Sequence, residues 1–479
     1  MAEEAASEKQ ATFTHGSTMR HVLVMSSTGA IGLLAIFFVD LANLFYISLL
    51  GQQALAAAIG FASTVMFFTV SICIGFTIAA TAITARAIGA GDEEDAKKRA
   101  TVSLIYMLIM TVVMVFVLYP LLRPILSLLG ATGETLEIAL GFMQIVIVSA
   151  PLLGLGMCMA GLLRAQGDAK RAMYVTLTSG ASAAFIDPLL IFGLDLGVTG
   201  AALSVVVVRF MFVAIGIYGV WFVHRMLAMP DLSAIRNVFT PFMIIAVPAV
   251  LTQIATPFGN AYVTGAISQF GDDAVAGWAI AGRIMPLAFA GIFSLSGAVG
   301  PILGQNYGAG RIDRVRQTIV DSMVASAFYV AAMWILLILF NPLIIKVFGA
   351  TGNAADLVWF FCVVVAASFL FMAALFVANA AFNNLGYPYL STIFNWGRAT
   401  LGVIPFVYVA QNWGPTGVLA GWSLGGVVFG TLAIVTCFVV IKRLPERAAK
   451  DGITISAPPS ANSPFTSGKG ALFGRMDPE

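Results

Sequence analysis

The sequence predicts an all-α integral membrane protein in which twelve transmembrane helices form two pseudo-symmetric lobes of six helices each. Two observations carry this prediction. Of the 479 residues, 59% are apolar and only 10% are charged, whereas soluble domains carry about 25% charged residues. In addition, short motifs recur in the same order at a spacing close to 219 residues. An apolar chain built from two copies is typical of a membrane protein with an internal duplication.

Apolar runs long enough to cross a bilayer can be drawn twelve times. They cover residues 22–50, 54–82, 101–125, 135–163, 172–193, 198–223, 238–267, 274–300, 318–345, 355–382, 388–410 and 414–441. The first lobe is therefore expected at residues 21–226 (spans 1 to 6) and the second at 227–442 (spans 7 to 12). A polar segment, 1–20, precedes the lobes. A tail rich in Ser, Pro and Gly, 443–479, follows them and is expected to be disordered.

The charges of the loops predict the orientation. Lys and Arg are concentrated in the connections after spans 2, 4, 6 and 8 and after span 12, while the connections after spans 1, 5, 7 and 11 carry none. Because Lys and Arg accumulate on the cytoplasmic side of membrane proteins, both termini are expected in the cytoplasm, with the protein in the cell (inner) membrane. The net charge of +2 is spread over short loops and gives no indication of nucleic-acid binding.

Five matched motifs support the duplication. Since six spans are an even number, both halves should enter the membrane in the same orientation, related by an axis along the membrane normal. Two such bundles enclose a cleft, which favours a secondary transporter working by alternating access. No Walker-type phosphate loop occurs, so ATP is not expected to drive transport. The matches pair GATG at 130 and 349, IGAG at 88 with YGAG at 307, RAQG ending at 167 with NNLG ending at 386, GQQALA at 51 with GDDAVA at 271, and GVTG at 197 with GPTG at 414.

Two aspartates lie deep in apolar spans, Asp40 in span 1 and Asp187 in span 5, both in the outer half of the membrane. An acid there is costly unless it faces the bundle interior, binds a cation or carries a proton. Pro188 removes a backbone donor directly after Asp187, and the resulting kink should free carbonyl groups. Asp40 and Asp187 are therefore predicted to couple transport to a cation. The competing interpretation is that a structural arginine, Arg209 or Arg283, neutralises one of them.

Spans 7 to 12 hold no deep acid, so coupling is expected in the first lobe alone. The deep amide side chains either line the cleft or form hydrogen bonds between helices. The deep arginines are expected to pair with backbone carbonyls. The four cysteines lack metal-ligand spacing, and neither a metal nor a cofactor is expected. The candidates for the cleft or its polar network are Phe37, Asn43, Gln144, Gln253, Asn260 and Arg283.

Four motifs resemble those of a known family. They are TARAIGAGDEEDAKKRA after span 2, GLLRAQGDAKRAM after span 4, IDPLLIFGLDLGVTGAALS in span 5 and its exit, and GPILGQNYGAGRIDRVRQ after span 8. Together they make the sequence similar to the multidrug and toxic compound extrusion (MATE) family over about residues 20–440. The resemblance implies export of organic, often cationic or amphipathic, compounds by proton or sodium antiport. An aspartate in span 1 with none deep in the second lobe resembles the DinF-like branch, whose first-lobe carboxylates would correspond to Asp40 and Asp187.

One departure from the family pattern bears on the ion. The family often has an asparagine four residues before the aspartate of span 5, one turn away on the same face, and here that position is Ala183. An oxygen ligand for sodium is therefore missing, which favours protons.

The leading hypothesis is thus a proton-coupled exporter of cationic or hydrophobic small molecules, with sodium as the alternative ion. A flippase of a lipid-linked or saccharide intermediate is the second hypothesis, although about three deep bases are few for a phosphate-binding cavity. An enzyme is disfavoured, because the three histidines are scattered and neither HExxH nor GxSxG occurs. Each chain holds its own pair of lobes, so a monomer is expected.

Overall fold

The computed structural model describes residues 11–49, 53–229 and 231–455, without the side chains of residues 39–49, 53–56 and 179. Over these residues the chain is helical and contains no strand. The helices are α1 (Thr18–Leu49), α2 (Gln53–Gly89), α3 (Glu93–Leu128), α4 (Gly133–Val148), α5 (Ala150–Gln166), α6 (Ala169–Pro188), α7 (Gly197–Ile217), α8 (Leu232–Ser268), α9 (Asp272–Ala288), α10 (Ala290–Gly308), α11 (Ile312–Val347), α12 (Gly352–Val363), α13 (Phe369–Asn384), α14 (Pro388–Ala399), α15 (Ile404–Ala410), α16 (Gly414–Lys442) and α17 (Leu444–Lys450).

These helices account for the twelve predicted spans. Within the described residues, nine stretches are long and apolar enough to cross a membrane, and two bent pairs, α4 with α5 and α9 with α10, raise the number to eleven. The last stretch, Pro388–Lys442, has 55 residues, roughly 80 Å of helix and more than twice the thickness of the hydrocarbon layer. It folds back at Gly414, so that α14 and α15 pack against α16. The twelfth span is accounted for by this hairpin.

Four spans that were predicted as continuous are interrupted, one of them span 11, where a turn at residues 400–403 separates α14 from α15. Span 4 bends by 50° at Ser149, and span 8 bends by 48° at Phe289. In span 10 a 3-10 turn, Val365–Ser368, separates α12 from α13. The chain is apolar on both sides of these breaks, so its composition does not reveal them. Side chains from neighbouring helices satisfy the freed carbonyls: Arg209 donates to Val146 O (2.7 Å), Tyr329 to Ala288 O (2.9 Å) and Trp334 to Val363 O (2.8 Å).

The two six-span lobes meet along a seam formed by spans 1, 2, 7 and 8. Span 1 (α1) packs on the second half of span 8 (α10), and span 7 (α8) packs on span 2 (α2). Within the lobes, span 1 packs on span 5 (α6) and span 7 packs on span 11 (α14). Each contact of the first lobe thus has its counterpart in the second, as the two-fold pseudo-symmetry requires.

The tail begins with a folded segment, contrary to the prediction of disorder from residue 443. Leu444 and Ala448 of α17 are fully buried. The Tyr307 hydroxyl donates to Asp451 Oδ2 at 2.8 Å, and the Arg447 guanidinium lies over the ring of Tyr387. The stretch LPERAAK contains good helix formers, and its two buried residues, Leu444 and Ala448, fall on one face, a short signal that the composition of the whole tail conceals.

Candidate cation site and the seam between the lobes

Asp187 lies in the interior of the first lobe near the end of α6. Its side chain is 3% exposed, and the Ser204 hydroxyl of α7 donates a hydrogen bond to Oδ1. Oδ2 is buried and has no partner among the described residues. A buried carboxylate that accepts a single hydrogen bond keeps much of its desolvation cost. The surroundings therefore suit a carboxyl group that takes up a proton or another cation.

The backbone that follows Asp187 is irregular, as Pro188 predicts. α6 ends at Pro188, and Leu189–Gly193 continues as a π-helical turn. Proline has no N–H, so the carbonyl of Ala184 receives no hydrogen bond from the helix. Single π turns of this kind recur at functional sites, and this one lies directly beside the buried carboxyl group.

The side chain of Asp40 lies outside the described residues, but its helix can be placed. α1 packs on α6, and a Cβ atom at Gly180 would lie 3.4 Å from the Ala35 carbonyl oxygen. Position 40 is five residues past Ala35 and position 187 is seven past Gly180 (40 − 35 = 5; 187 − 180 = 7). Because spans 1 and 5 run in the same direction, the backbones at the two positions differ in level by roughly 3 Å.

Arg209 does not neutralise Asp187. Its Nη1 atom donates to the Val146 carbonyl and to the Ser149 hydroxyl, both at 2.7 Å. Its Nη2 atom approaches the Met66 sulfur at 3.6 Å. Arg209 therefore holds the bend between α4 and α5, and its role is structural.

The remaining predicted cleft residues are distributed over both lobes, and no hydrogen bond between their side chains occurs in the described part of the chain. Asn43 lies outside the described side chains, Arg283 is exposed, and those that are half-buried are Phe37, Gln144, Gln253 and Asn260.

Arg283 differs from the expectation that it pairs with backbone carbonyls. Its side chain is exposed, and the hydrogen bonds and ion pairs of the described residues give it no partner. The exposed face of α9 beside it is formed by small residues, Ala276, Ala279 and Gly282. A lipid-facing surface carries large apolar side chains and avoids charge. Arg283 is therefore better placed for a water-filled cleft than for lipid.

The deep polar residues of the second lobe form a network without an acid. Asn395 donates to Asn379 Oδ1 at 3.0 Å, and Arg398 donates to the Thr256 hydroxyl at 3.1 Å. These bonds join α14 to α13 and α14 to α8. Among the described residues, no group of three or more His, Cys, Asp or Glu side chains has an arrangement that fits a metal ion.

The two lobes are closed at the end of the bundle that carries the loops after spans 2, 4 and 8, which we call the basic face. Arg86 Nε donates to the Asn384 carbonyl at 2.9 Å, and Gln305 Nε2 donates to the Ala165 carbonyl at 2.7 Å. The two bonds are related by the pseudo-symmetry (305 − 86 = 219; 384 − 165 = 219). In each, the end of the second span of one lobe caps open carbonyls at the end of the fourth span of the other.

The backbones of α2 and α10 touch at the same place. A Cβ atom at Gly89 would overlap the Gln305 carbonyl oxygen, and one at Gly308 would overlap the Arg86 carbonyl oxygen. Toward the opposite end of the seam, three glycines have no described atom within 4 Å of a Cβ position: Gly60, Gly265 and Gly282. The seam is therefore closed at the basic face, whereas no described atom packs against these three glycines toward the other face.

Comparison with known proteins agrees with this architecture. The MatE family model matches the chain twice, at residues 30–189 and 248–409. The chain belongs to the MATE family. The two matches begin 218 residues apart (248 − 30 = 218), which confirms the duplication. The MATE family consists of transporters, so the protein is a multi-pass membrane transporter.

Two curated MATE-type relatives cover nearly the whole chain. The FAD transporter of Shewanella oneidensis is 27% identical over 438 residues, which are 89% of this chain and 95% of that protein. The multidrug export protein MepA of Staphylococcus aureus is 24% identical over 435 residues, or 88% and 93% of the two chains.

Solved structures show the same fold. A MOP superfamily transporter from Pyrococcus furiosus superposes with a TM-score of 0.84 at 22% identity, covering 91% of this chain and 99% of that one. The Vibrio cholerae MATE transporter VcmN superposes with a TM-score of 0.84 at 23% identity, covering 90% and 97%. The fold of twelve helices in two lobes is thereby confirmed.

Proposed function

We propose that the protein is a DinF-like secondary active multidrug exporter that expels cationic or hydrophobic small molecules in exchange for protons bound at Asp40 and Asp187. The observation that carries the proposal is the buried carboxyl group of Asp187, which has one described donor, an oxygen without a described partner and a distorted backbone beside it. Burial disfavours the charged form of such a group. Uptake and loss of a proton are therefore linked to the arrangement of α6 and α7.

The difference between the lobes supports a site in the first lobe. At the spacing of the GQQALA and GDDAVA motifs, position 40 corresponds to Asn260 (40 + 220 = 260). At the spacing of the GVTG and GPTG motifs, position 187 corresponds to Ile404 (187 + 217 = 404). The second-lobe positions equivalent to 40 and 187 thus hold groups that cannot titrate, although the two lobes have corresponding folds.

The shape of the seam supports transport by alternating access. If the basic face is cytoplasmic, as its Lys and Arg content favours, the protein is closed to the cytoplasm and its cleft opens outward. Protons then enter from outside and displace the cargo. Reciprocity requires that cargo binding lowers the affinity for protons by the same factor at equilibrium.

Protons are favoured over sodium because, among the described side chains, Ser204 alone bonds to the Asp187 carboxyl group. Ser204 supplies a hydroxyl group, but the position one turn before Asp187 on the same face is the buried Ala183. A sodium ion there would lack an amide oxygen that the family pattern often supplies.

The test is proton release from the purified protein when a cationic dye is added, measured with and without sodium. We expect release from the wild type that is independent of sodium and is lost in Asp40→Asn and in Asp187→Asn. Asp356→Asn is the matched control, because Asp356 is an exposed carboxylate of the second lobe. Wild-type release that persists in both variants would refute proton coupling at these residues, and dye binding weakened by sodium instead would establish sodium antiport.

A second candidate cargo is an anionic dinucleotide. The exposed guanidinium of Arg283 on the small-residue face of α9 favours it, as does the similarity to a protein named FAD transporter. Binding of FAD to the wild type that is lost in Arg283→Gln but kept in Arg316→Gln, with weak dye binding, would replace the cationic cargo by this one. Arg316 is an exposed arginine at the basic face and serves as the control for charge.

A further inference from the structure

The residues before α1 lie across the seam at the basic face. We call residues 11–17 the strap. Phe13 N donates to Gln305 Oε1 at 2.8 Å, and Asn306 Nδ2 donates to the Phe13 carbonyl at 3.1 Å. Arg311 donates to the Thr14 carbonyl at 2.5 Å. Gln305 and Asn306 are both fully buried, so these bonds are shielded from water.

Arg314 of the second lobe binds the backbone of the strap. Its guanidinium donates to three carbonyl groups of the turn, those of Phe13 (2.9 Å), His15 (3.1 Å) and Gly16 (2.9 Å). It also donates to Asn306 Oδ1 at 3.0 Å. An arginine that binds several carbonyls at once fixes a single conformation of the segment.

The strap contacts the first lobe as well. The Thr12 hydroxyl donates to the Gln166 carbonyl at 3.2 Å, and Thr12 packs against Gly167. The ring of Phe13 is 2% exposed and lies in a cluster with Ala169 of the first lobe and Ile302 of the second. One short segment thus fills the seam and bonds to the ends of spans 4 and 8.

We propose that the strap is a latch that holds the basic face closed and must leave its site whenever that face opens. The proposal rests on the alternating access part of the proposed function. When the lobes separate there, Gln166 and Gly167 move away from Gln305 and Arg314. The strap cannot follow both lobes, so one set of contacts breaks and the pocket of Phe13 is exposed to water. The latch therefore favours the conformation whose cleft opens at the other face.

The experiment measures the opening of the basic face directly, with neither cargo nor an ion gradient. Spin labels are placed at Glu94→Cys and Asp313→Cys, which are exposed, pseudo-equivalent positions of the two lobes (313 − 94 = 219). The four buried native cysteines are replaced by alanine. The distribution of distances between the labels in lipid nanodiscs gives the fraction of molecules with separated lobes.

We expect Phe13→Ala and Arg314→Ala each to raise the separated fraction about tenfold, which is a typical size for the shift of a two-state equilibrium. In the double variant, the separated fraction should rise by less than the product of the two single-variant increases, since both substitutions act through the strap. Phe13→Leu keeps an apolar side chain in the pocket and should restore most of the closed fraction, which separates a latch from a general loss of folding.

Two exposed neighbours are the matched controls. His15→Ala changes a side chain of the strap but keeps the carbonyl that Arg314 binds. Arg316→Ala removes a charge two positions past Arg314 on the same helix. Both should leave the distances unchanged. A separated fraction in Phe13→Ala and Arg314→Ala equal to that of the wild type would overturn the latch, provided that pH or dye still changes the wild-type distances. If no condition and no variant changes them, alternating access itself fails and the latch fails with it.

Discussion

The Ser204 hydroxyl is the single described donor to the Asp187 carboxyl group, so its removal changes the energy of the charged form. Hydrogen bonds to charged groups contribute about 1.5–3 kcal/mol, which corresponds to about 1–2 pH units. We predict that Ser204→Ala moves the pH midpoint of dye efflux upward by about this amount, because the carboxylate loses its donor. The pH profile of efflux from proteoliposomes gives the midpoint.

Ser326→Ala is the control for this variant. Ser326 is equally buried, but its hydroxyl donates within its own helix to the Ser322 carbonyl, far from the coupling residues in sequence and in the other lobe. Its pH profile should match that of the wild type. A midpoint in Ser204→Ala that stays in place, or moves to lower pH, would contradict the role of Asp187 as a proton site.

Asp168, at the start of α6, is held in its charged form. Burial by itself raises the pKa of its carboxyl group, but hydrogen bonds from His224 and Arg171 outweigh burial and hold the pKa well below its ordinary value of 3.8. A carboxyl group whose pKa is lowered by folding contributes stability that is present above the ordinary pKa and is lost as pH falls toward the lowered value. The stabilisation by Asp168 should therefore be undiminished at neutral pH.

We predict that Asp168→Ala lowers the thermal unfolding midpoint by about 1–2 °C, as loss of a helix cap and its partners costs about 1–2 kcal/mol and a chain of this length shifts by roughly 1 °C per kcal/mol. The difference from the wild type should stay constant from pH 8 to about 4 and shrink only below that. Asp92→Ala is the control, because Asp92 caps α3 in the same way without the partners that Asp168 has. A difference that already disappears near pH 6 would show that Asp168 is not held ionised by these contacts.

Single residues were predictable from the sequence where their chemistry is unusual for their place. Asp187 is conspicuous because a carboxylate in an apolar span is rare, and its burial is as expected. Ser204 is not conspicuous, since a serine in a span forms no pattern, and it meets Asp187 only through the packing of α6 on α7. Gln305 gave a weak signal, because it stands two residues before YGAG as Arg86 stands two residues before IGAG, but its partner in the other lobe cannot be inferred without the fold.

The crossing of α2 and α10 depends on two glycines. Because a Cβ at Gly89 or Gly308 would overlap a carbonyl oxygen of the other helix, the helices must separate to accept alanine, and overpacking of this kind costs about 1–3 kcal/mol. We predict that Gly89→Ala and Gly308→Ala each reduce dye efflux about tenfold. They should also lengthen the distance between labels at the basic face, measured by the same spin-label pair at positions 94 and 313.

Gly265→Ala is the matched control, because a Cβ at Gly265 has no described atom within 4 Å. It lies within α8 and should leave both efflux and the distances unchanged. Equal loss of efflux in Gly265→Ala would show that any glycine-to-alanine substitution in these helices, or a smaller amount of folded protein, lowers efflux. The closed crossing of α2 and α10 would then no longer be supported.

The helices themselves were largely predictable, and their interruptions were not. Spans follow from apolar runs because lipid requires each backbone group to bond within its own segment. A break within a span leaves the composition unchanged, so Ser149 and Ser368, which stand 219 residues apart at the breaks of spans 4 and 10, gave no separate signal. The side chains that bond to the carbonyls freed at these breaks differ as well, Arg209 in the first lobe and Trp334 in the second, so the duplication does not identify them.

In the whole molecule, the two lobes correspond in fold and differ in chemistry. The pseudo-symmetric bonds of Arg86 and Gln305 close the basic face with equivalent atoms of both lobes, whereas the acids at positions 40 and 187 have no counterpart in the second lobe. Symmetry in the seam allows the lobes to rock as two similar bodies. In the proposed function, the asymmetry of the interior puts the titrating group in one lobe, so that one protonation event would bias a motion shared by both.

If the lobes rock apart at the basic face, α1 and α10 must separate during each cycle. Gly29 of α1 and Ser294 of α10 face each other there, with a Cβ at Gly29 only 3.0 Å from the Ser294 Cβ. A disulfide needs about 3.5–4.5 Å between Cβ atoms, so a small shift lets Gly29→Cys and Ser294→Cys form one. We predict that oxidation of this double variant abolishes dye efflux and that a reductant restores it. Each single variant should be insensitive to oxidant, since the native cysteines are buried. Full efflux from a completely cross-linked protein would mean that the seam between α1 and α10 stays closed throughout the cycle, and the opening would then have to occur between α2 and α8.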